Sequence, residues 1–336
     1  MISTPHSLEI QSKCRPRSGS DRSQQFRQPR PDLKQPQATD LYLYLLGQPT
    51  LRRFLRFVAG RASPPCDKGA LIEQWQAAYE HIRALEDKEA SIADNPRLQK
   101  AGPEYRRLLD EVLQDPLIRH SFNTVRTEVA VVELERLVVY QRHIDLTFVE
   151  QLKQQLGPAP TAEQIFRTCL PSGYHDPPVK WSRLDDNRFV FVSPSNDLRF
   201  LGAIPLEPEQ IRGAALSGNP AEVVGLAVGF GSNFLNAIYA ERRLILNNGS
   251  HRAYALRDLG ITHAPCIVQH ATSSAELDLV APAAVRRSAD EYLKPRRPAL
   301  LRDYFDPKLR RVLSVQRLSR QILVRFEVDE AYVPVS

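Results

Sequence analysis

The sequence is short of cysteine and of long apolar runs. Its 336 residues hold four cysteines, Cys14, Cys66, Cys169 and Cys266. They lie far apart and show no Cys-x-x-Cys spacing, which argues against a disulfide framework and against a cysteine zinc site. No stretch approaches about eighteen uninterrupted apolar residues, so no membrane-spanning helix is expected. The first residues lack the apolar core of a secretory signal. These absences together point to a reducing cytoplasm. Glycine is also scarce, 15 against 26 prolines, which implies many rigid connections.

Hydrophobic residues make up 42% of the chain, enough for a buried core, and the length suits one large or two modest domains. The formal net charge of +6 permits a nucleic-acid or nucleotide-phosphate partner without requiring one.

Four regions differ in texture. Residues 1–38 are rich in Ser, Gln, Pro and Arg without apolar periodicity and read as a disordered basic tail. Residues 39–120 read as an α-helical region. There Asp40 is a candidate cap, and Leu71, Ile72, Trp75, Ala78, Tyr79, Ile82 and Leu85 form an amphipathic stripe. Residues 121–285 mix strands and helices. The stretch 187–206 predicts two strands around a Ser-Pro-Ser-Asn-Asp turn, and 220–231 reads as helix-like or connecting. Residues 232–249 read as a hairpin turning near Ala240 and Glu241. Residues 286–336 form a Pro/Arg-rich extension ending in a strand. The alternation predicts an α+β fold rather than a regular doubly wound sheet.

One stretch, Asn-Asn-Gly-Ser-His-Arg at 247–252, carries a chemical signal. Leu244, Ile245 and Leu246 predict a short buried strand. Asn248 and Gly249 then supply a tight turn, with positive φ allowed at the glycine. Ser250 or Asn248 can cap the helix that follows, whose first N–H groups and dipole would make an anion site. Arg252 offers a planar two-point contact to phosphate. The plainer alternative is a capped helix start in which Arg252 pairs with Asp258 or faces solvent.

The segment 247–268 resembles the phosphate-binding segment of the ParB/sulfiredoxin superfamily, through Gly249, Arg252, Ala255, Gly260 and Pro265. Upstream, residues 131–156 are similar to the first block of that family, with Gln141 and Arg142 at its turn. The resemblance covers about residues 125–270. It implies a ParB/sulfiredoxin-like mixed-sheet domain whose turn (Asn248, Gly249, Ser250, His251 and Arg252, with Gln141 and Arg142) holds a nucleoside triphosphate, CTP or ATP, with Mg2+. It leaves DNA and a homodimer open as further partners. No helix-turn-helix pattern follows residue 270, where ParB-type members place theirs. Ser250 stands where sulfiredoxins carry the catalytic cysteine. A hydroxyl cannot form their sulfur–sulfur intermediate, which argues against that activity. Serine kinases of the superfamily use a similar turn with a carboxylate base. Here the candidate base is Glu133 or Glu135, and Asn248 replaces the leading Asp of that turn. A non-catalytic interaction module that retains the fold is the third alternative.

Other residues have two readings each. His143 and Asp145 form either a charged cluster facing the turn or a solvated bend. Tyr254 and Arg257 either reach a base or sugar or pack on the helix surface. His175 and Asp176 read as a structured turn more than a metal site. Cys266 reads as a core residue.

Overall fold

The computed structural model describes residues 38–333 except positions 49, 173–176, 196, 208–210 and 212–219. The basic tail, the His175–Asp176 pair and most of 208–216 lie outside the described residues. Ala38–Ser336 forms one compact unit.

In chain order, the first third holds β1 (Thr39–Leu45), α1 (Leu51–Arg61), α2 (Lys68–Lys88), β2 (Gln99–Lys100), α3 (Arg106–Gln114) and α4 (Pro116–Ser121). Then come β3 (Thr127–Glu133), β4 (His143–Asp145), α5 (Leu146–Leu156) and α6 (Ala162–Cys169). An excursion of four strands follows: β5 (Lys180–Asp185), β6 (Arg188–Ser193), β7 (Leu198–Leu206) and β8 (Val223–Phe230). The chain returns through β9 (Asn236–Ala240), β10 (Arg243–Asn248), α7 (Ser250–Asp258) and β11 (His263–His270). It closes with α8 (Ser274–Val280), α9 (Ala283–Arg286), α10 (Asp290–Leu293), β12 (Arg310–Gln316) and β13 (Arg320–Arg325). The class is mixed α+β, as expected.

The main sheet runs β10-β9-β11-β3-β2. Strand β11 is antiparallel to β3 and parallel to β9. Its centre is apolar on both faces: Ala237, Ile238, Leu244, Ile245, Ala264 and Cys266 are almost fully buried. Burial raises the Cys266 thiol well above its ordinary range, so it acts as a small core residue. The β9–β10 hairpin turns at Glu241 and Arg242, both at positive φ, close to the expected position.

Three expectations change. Residues 39–45 are a strand, not the start of a helix. Leu and Tyr fit either period, and tertiary pairing decides: β1 is the middle strand of the sheet β12-β1-β4, with Tyr42 opposite both Leu313 and Asp145. Asp40 therefore caps nothing and instead binds Arg317. Residues 223–230 are strand β8 rather than a helix or connection. Its Val, Leu and Phe alternate with Gly and Ala, a period-two pattern. Finally, the boundaries at 120 and 286 do not separate packing units. Strand β1 pairs with β12 near the C-terminus, and β2 pairs with β3. Part of the C-terminal extension is core: Arg297 is buried and binds both Glu89 and Asp303.

The amphipathic helix α2 forms as its pattern predicts. Asp67 caps it by accepting from Gly69 N at 3.2 Å and Ala70 N at 3.0 Å. Leu71, Ala78 and Ile82 bury its inner face. Helix α5 is capped by Asp145, which accepts from Phe148 N at 3.1 Å, and ends at Gly157, φ +75°. Asp145 is thus a helix cap, not a member of a site cluster.

Candidate functional site

Strand β10 ends at Asn248, and helix α7 starts at Ser250. The single residue between them, Gly249, has φ +91°. A Cβ there would lie 2.7 Å from Leu235 Cδ1 and 3.1 Å from Leu235 Cα. Both backbone conformation and space therefore demand glycine. Asn248 fixes the turn by accepting from Gly249 N at 2.8 Å and donating to Ser232 O at 2.7 Å.

The expectation that Ser250 or Asn248 caps α7 fails. Gly249 is the capping position and makes no side-chain cap bond. Ser250 is the first helical residue, and its buried hydroxyl donates to Gln141 Oε1. The first N–H groups of α7 have no intrahelical acceptor by construction, so the turn presents donors and the positive end of a nine-residue helix.

Register explains why Gln141 meets this turn although more than a hundred residues separate the two in sequence. Val138 bridges Ile245 in parallel sense. Val138 N donates to Leu244 O, and Leu246 N donates to Val138 O, each at 2.8 Å. Residues beyond Val138 therefore run alongside residues beyond Leu246. Tyr140 reaches Asn247 O through its hydroxyl at 2.9 Å. Gln141 meets Ser250. Tyr304 supports the segment from the C-terminal extension, its buried hydroxyl donating to Gln141 O at 2.7 Å. The Arg142 guanidinium lies 5.9 Å from the Tyr292 ring centre, and its Nε is buried without a hydrogen-bond partner. Sequence patterning missed Tyr140, Tyr292 and Tyr304. The only sequence signal for Tyr140 was its place beside Gln141.

Two histidines flank the turn. His143 stacks on Tyr42, with ring centres 5.1 Å apart, and lies near Tyr44 and Phe57. Burial, helped by the charge of Arg61, pushes its pKa down to about 4. Burial likewise holds His251 at about 4, with His143 and Arg252 contributing. Its Nε2 is buried without a hydrogen-bond partner, and Phe148 meets its ring edge-on. Both imidazoles are neutral near pH 7. His143 is therefore neither a charged ligand nor a solvated bend but an aromatic packing residue.

Arg252 is buried rather than displayed at the surface. Its charge is felt at the buried Cys169 thiol and at His251, so it raises the local potential from beneath the turn. It does not pair with Asp258, which instead binds Lys153 at 2.5 Å.

The structure does not bring the candidate bases to the turn. Glu135 binds Arg257, whose Nε lies 2.6 Å away. Arg257 sits seven residues after Ser250, about 10 Å further along the helix axis. Glu133 lies opposite His263 at the start of β11 and 3.9 Å from Arg136. Both carboxylates therefore belong to the far end of α7, because the helix runs away from the turn to reach β11. Tyr254 stacks on Phe305 at 4.6 Å and Arg257 covers the same ring at 5.6 Å, so both pack rather than reach outward. Among the described residues no group of three or more His, Cys, Asp or Glu could hold a metal ion, and no helix is long and apolar enough to cross a membrane.

No protein-family model, curated protein or solved structure matches the chain.

Proposed function

We propose that the chain binds the phosphate groups of a nucleoside triphosphate, CTP or ATP with Mg2+, at the turn formed by Asn248, Gly249, Ser250, His251 and Arg252. Gln141 and Arg142 flank the ligand. The observation that supports this reading is the start of α7 at Gly249, which brings no capping side chain, with Gln141 bonded to Ser250 and a buried Nε without a hydrogen-bond partner on the next residue, Arg142. Uncapped N–H groups, a helix dipole and nearby guanidinium charge are what a phosphate needs. In this reading the buried Arg252 contributes charge from below, while Arg142 contributes the direct contact. Mg2+ would be held by the nucleotide's own phosphates. DNA is a second ligand to test, through its effect on nucleotide affinity.

The phosphotransferase alternative is weaker, because Glu133 and Glu135 lie at the wrong end of α7. A thermal-shift panel of ATP, ADP, CTP and GTP with Mg2+ tests the reading. One nucleotide is expected to raise the melting temperature by about 3–5 °C at a hundredfold excess over its Kd. Arg142→Ala is expected to remove most of that shift. No shift with any nucleotide would refute the reading. An undiminished shift in Arg142→Ala would move the site elsewhere.

A further inference from the structure

Helix α1 presents an exposed basic stripe that no carboxylate balances. Its sequence, LRRFLRFVAGR, holds four arginines and no Asp or Glu. Arg52, Arg53, Arg56, Ala59 and Gly60 are all exposed, and helical spacing gathers them on about 120° of the helix surface. The other side is anchored. Phe54 and Val58 are buried in the core with Tyr42 and Tyr44, and Leu51, Leu55 and Phe57 pack against them.

Two features of the stripe do nothing for the fold. Arg52 and Arg53 lie in the first turn, which holds no acidic residue. The positive end of the helix dipole lies there, so cations in that turn are unfavourable. Among the described residues, Arg52, Arg53 and Arg56 make no ion pair and no side-chain hydrogen bond. The second feature is Gly60. It is helical without positive φ, and a Cβ there would meet nothing within 4 Å. Glycine at such a position weakens a helix relative to alanine, and neither conformation nor packing demands it. On an exposed face, glycine lets another molecule approach the backbone closely.

We propose that this face of α1 binds the phosphate backbone of duplex DNA without reading its sequence. Each guanidinium offers planar two-point contacts to a phosphate. Arg52 and Arg56 rise only about 6 Å along the helix axis, so the partner must carry closely spaced anions. Duplex DNA carries one charge per about 1.7 Å of its axis. Both arrays are rigid, so little ordering opposes their association, whereas an acidic peptide would first have to be fixed. A membrane surface is the poorer fit, because no large apolar side chain stands on the stripe to enter lipid. The sequence before β1 adds charge of the same sign, with seven Lys or Arg against three Asp or Glu in residues 1–38. The proposal does not depend on nucleotide binding at the β10–α7 turn.

Fluorescence anisotropy of a labelled DNA duplex of about 20 base pairs, titrated with the full chain at about 50 to 200 mM NaCl, tests it. The expected dissociation constant is micromolar at the lowest salt. The logarithm of affinity should fall against the logarithm of salt with a slope of about −2.7 or steeper, for at least three phosphate contacts. Arg52→Glu combined with Arg56→Glu should weaken binding at least tenfold and make the slope shallower by about two. The same pair should leave the melting temperature unchanged or raised, since a carboxylate suits the helix start. Gly60→Gln is an independent variant that should keep the melting temperature and still weaken binding about threefold. No binding at the lowest salt, or binding that either variant leaves unchanged, overturns the proposal. Displacement of the duplex by polyglutamate or by phosphatidylserine vesicles at equal charge concentration also overturns it, and assigns the face to an acidic protein or to lipid.

Discussion

Around the β10–α7 turn, polar groups are buried and the backbone has no room to move. On the β7–β8 sheet, apolar groups face water and few neighbours constrain the chain. Ser250 and Arg252 are almost wholly enclosed, whereas Val224 and Leu226 are among the exposed large apolar residues. The difference separates an enclosed polar turn from an open apolar sheet. A small polar ligand is met by fixed donors whose desolvation has already been met in folding. The turn should therefore respond steeply to small changes, and the hairpin hardly at all.

The largest contrast is expected on acidification. His143 and His251 have folded pKa values of about 4, below the ordinary imidazole value of about 6.5. Their neutral forms are favoured by folding, so their contribution is full above about pH 6.5 and is lost as pH falls towards 4. Together they should cost about 4 kcal/mol between pH 7.5 and pH 5. The strands of the hairpin contain no histidine. Urea unfolding at the two pH values measures this, and His251→Asn should reduce the pH sensitivity even if it lowers stability at pH 7.5. An unchanged pH sensitivity would contradict the burial of that ring.

Glycine substitution comes next. Gly249→Ala combines positive φ with a Cβ forced against Leu235 and should cost about 2–3 kcal/mol. Gly202→Ala, at φ +140° with open space around it, should cost about 1 kcal/mol. Equal losses would remove the claim that the turn is the more constrained of the two. A smaller effect follows from Ser250→Ala, which leaves Gln141 without its hydroxyl donor and should cost about 1 kcal/mol. Smallest of all, Val224→Thr on the exposed hairpin should change monomer stability by less than about 0.5 kcal/mol.

Much of the turn was legible in the sequence, because its signals are local. Leu244, Ile245 and Leu246 are a buried apolar run, Gly249 permits positive φ, and Gly260 closes the helix at φ +85°. What the sequence concealed was long-range. The strand character of residues 39–45 depends on β12, more than 260 residues later. The inward course of Arg252 depends on the core around Cys169. The position of Glu133 and Glu135 depends on the direction of α7. Gln141 and Arg142 were found through their resemblance to another family's first block. The parallel register of Val138 beside Ile245 supplies the physical reason that Gln141 reaches the turn.

The most direct test of the central claim is hydrogen exchange with and without Mg2+-bound CTP or ATP at millimolar concentration. Binding at the uncapped start of α7 predicts slowed exchange in peptides covering residues 247–256 and 138–143, with β7 and β8 unchanged. Unaltered exchange in both peptides, or slowing confined to β7 and β8, would contradict the assignment of the phosphate site to this turn.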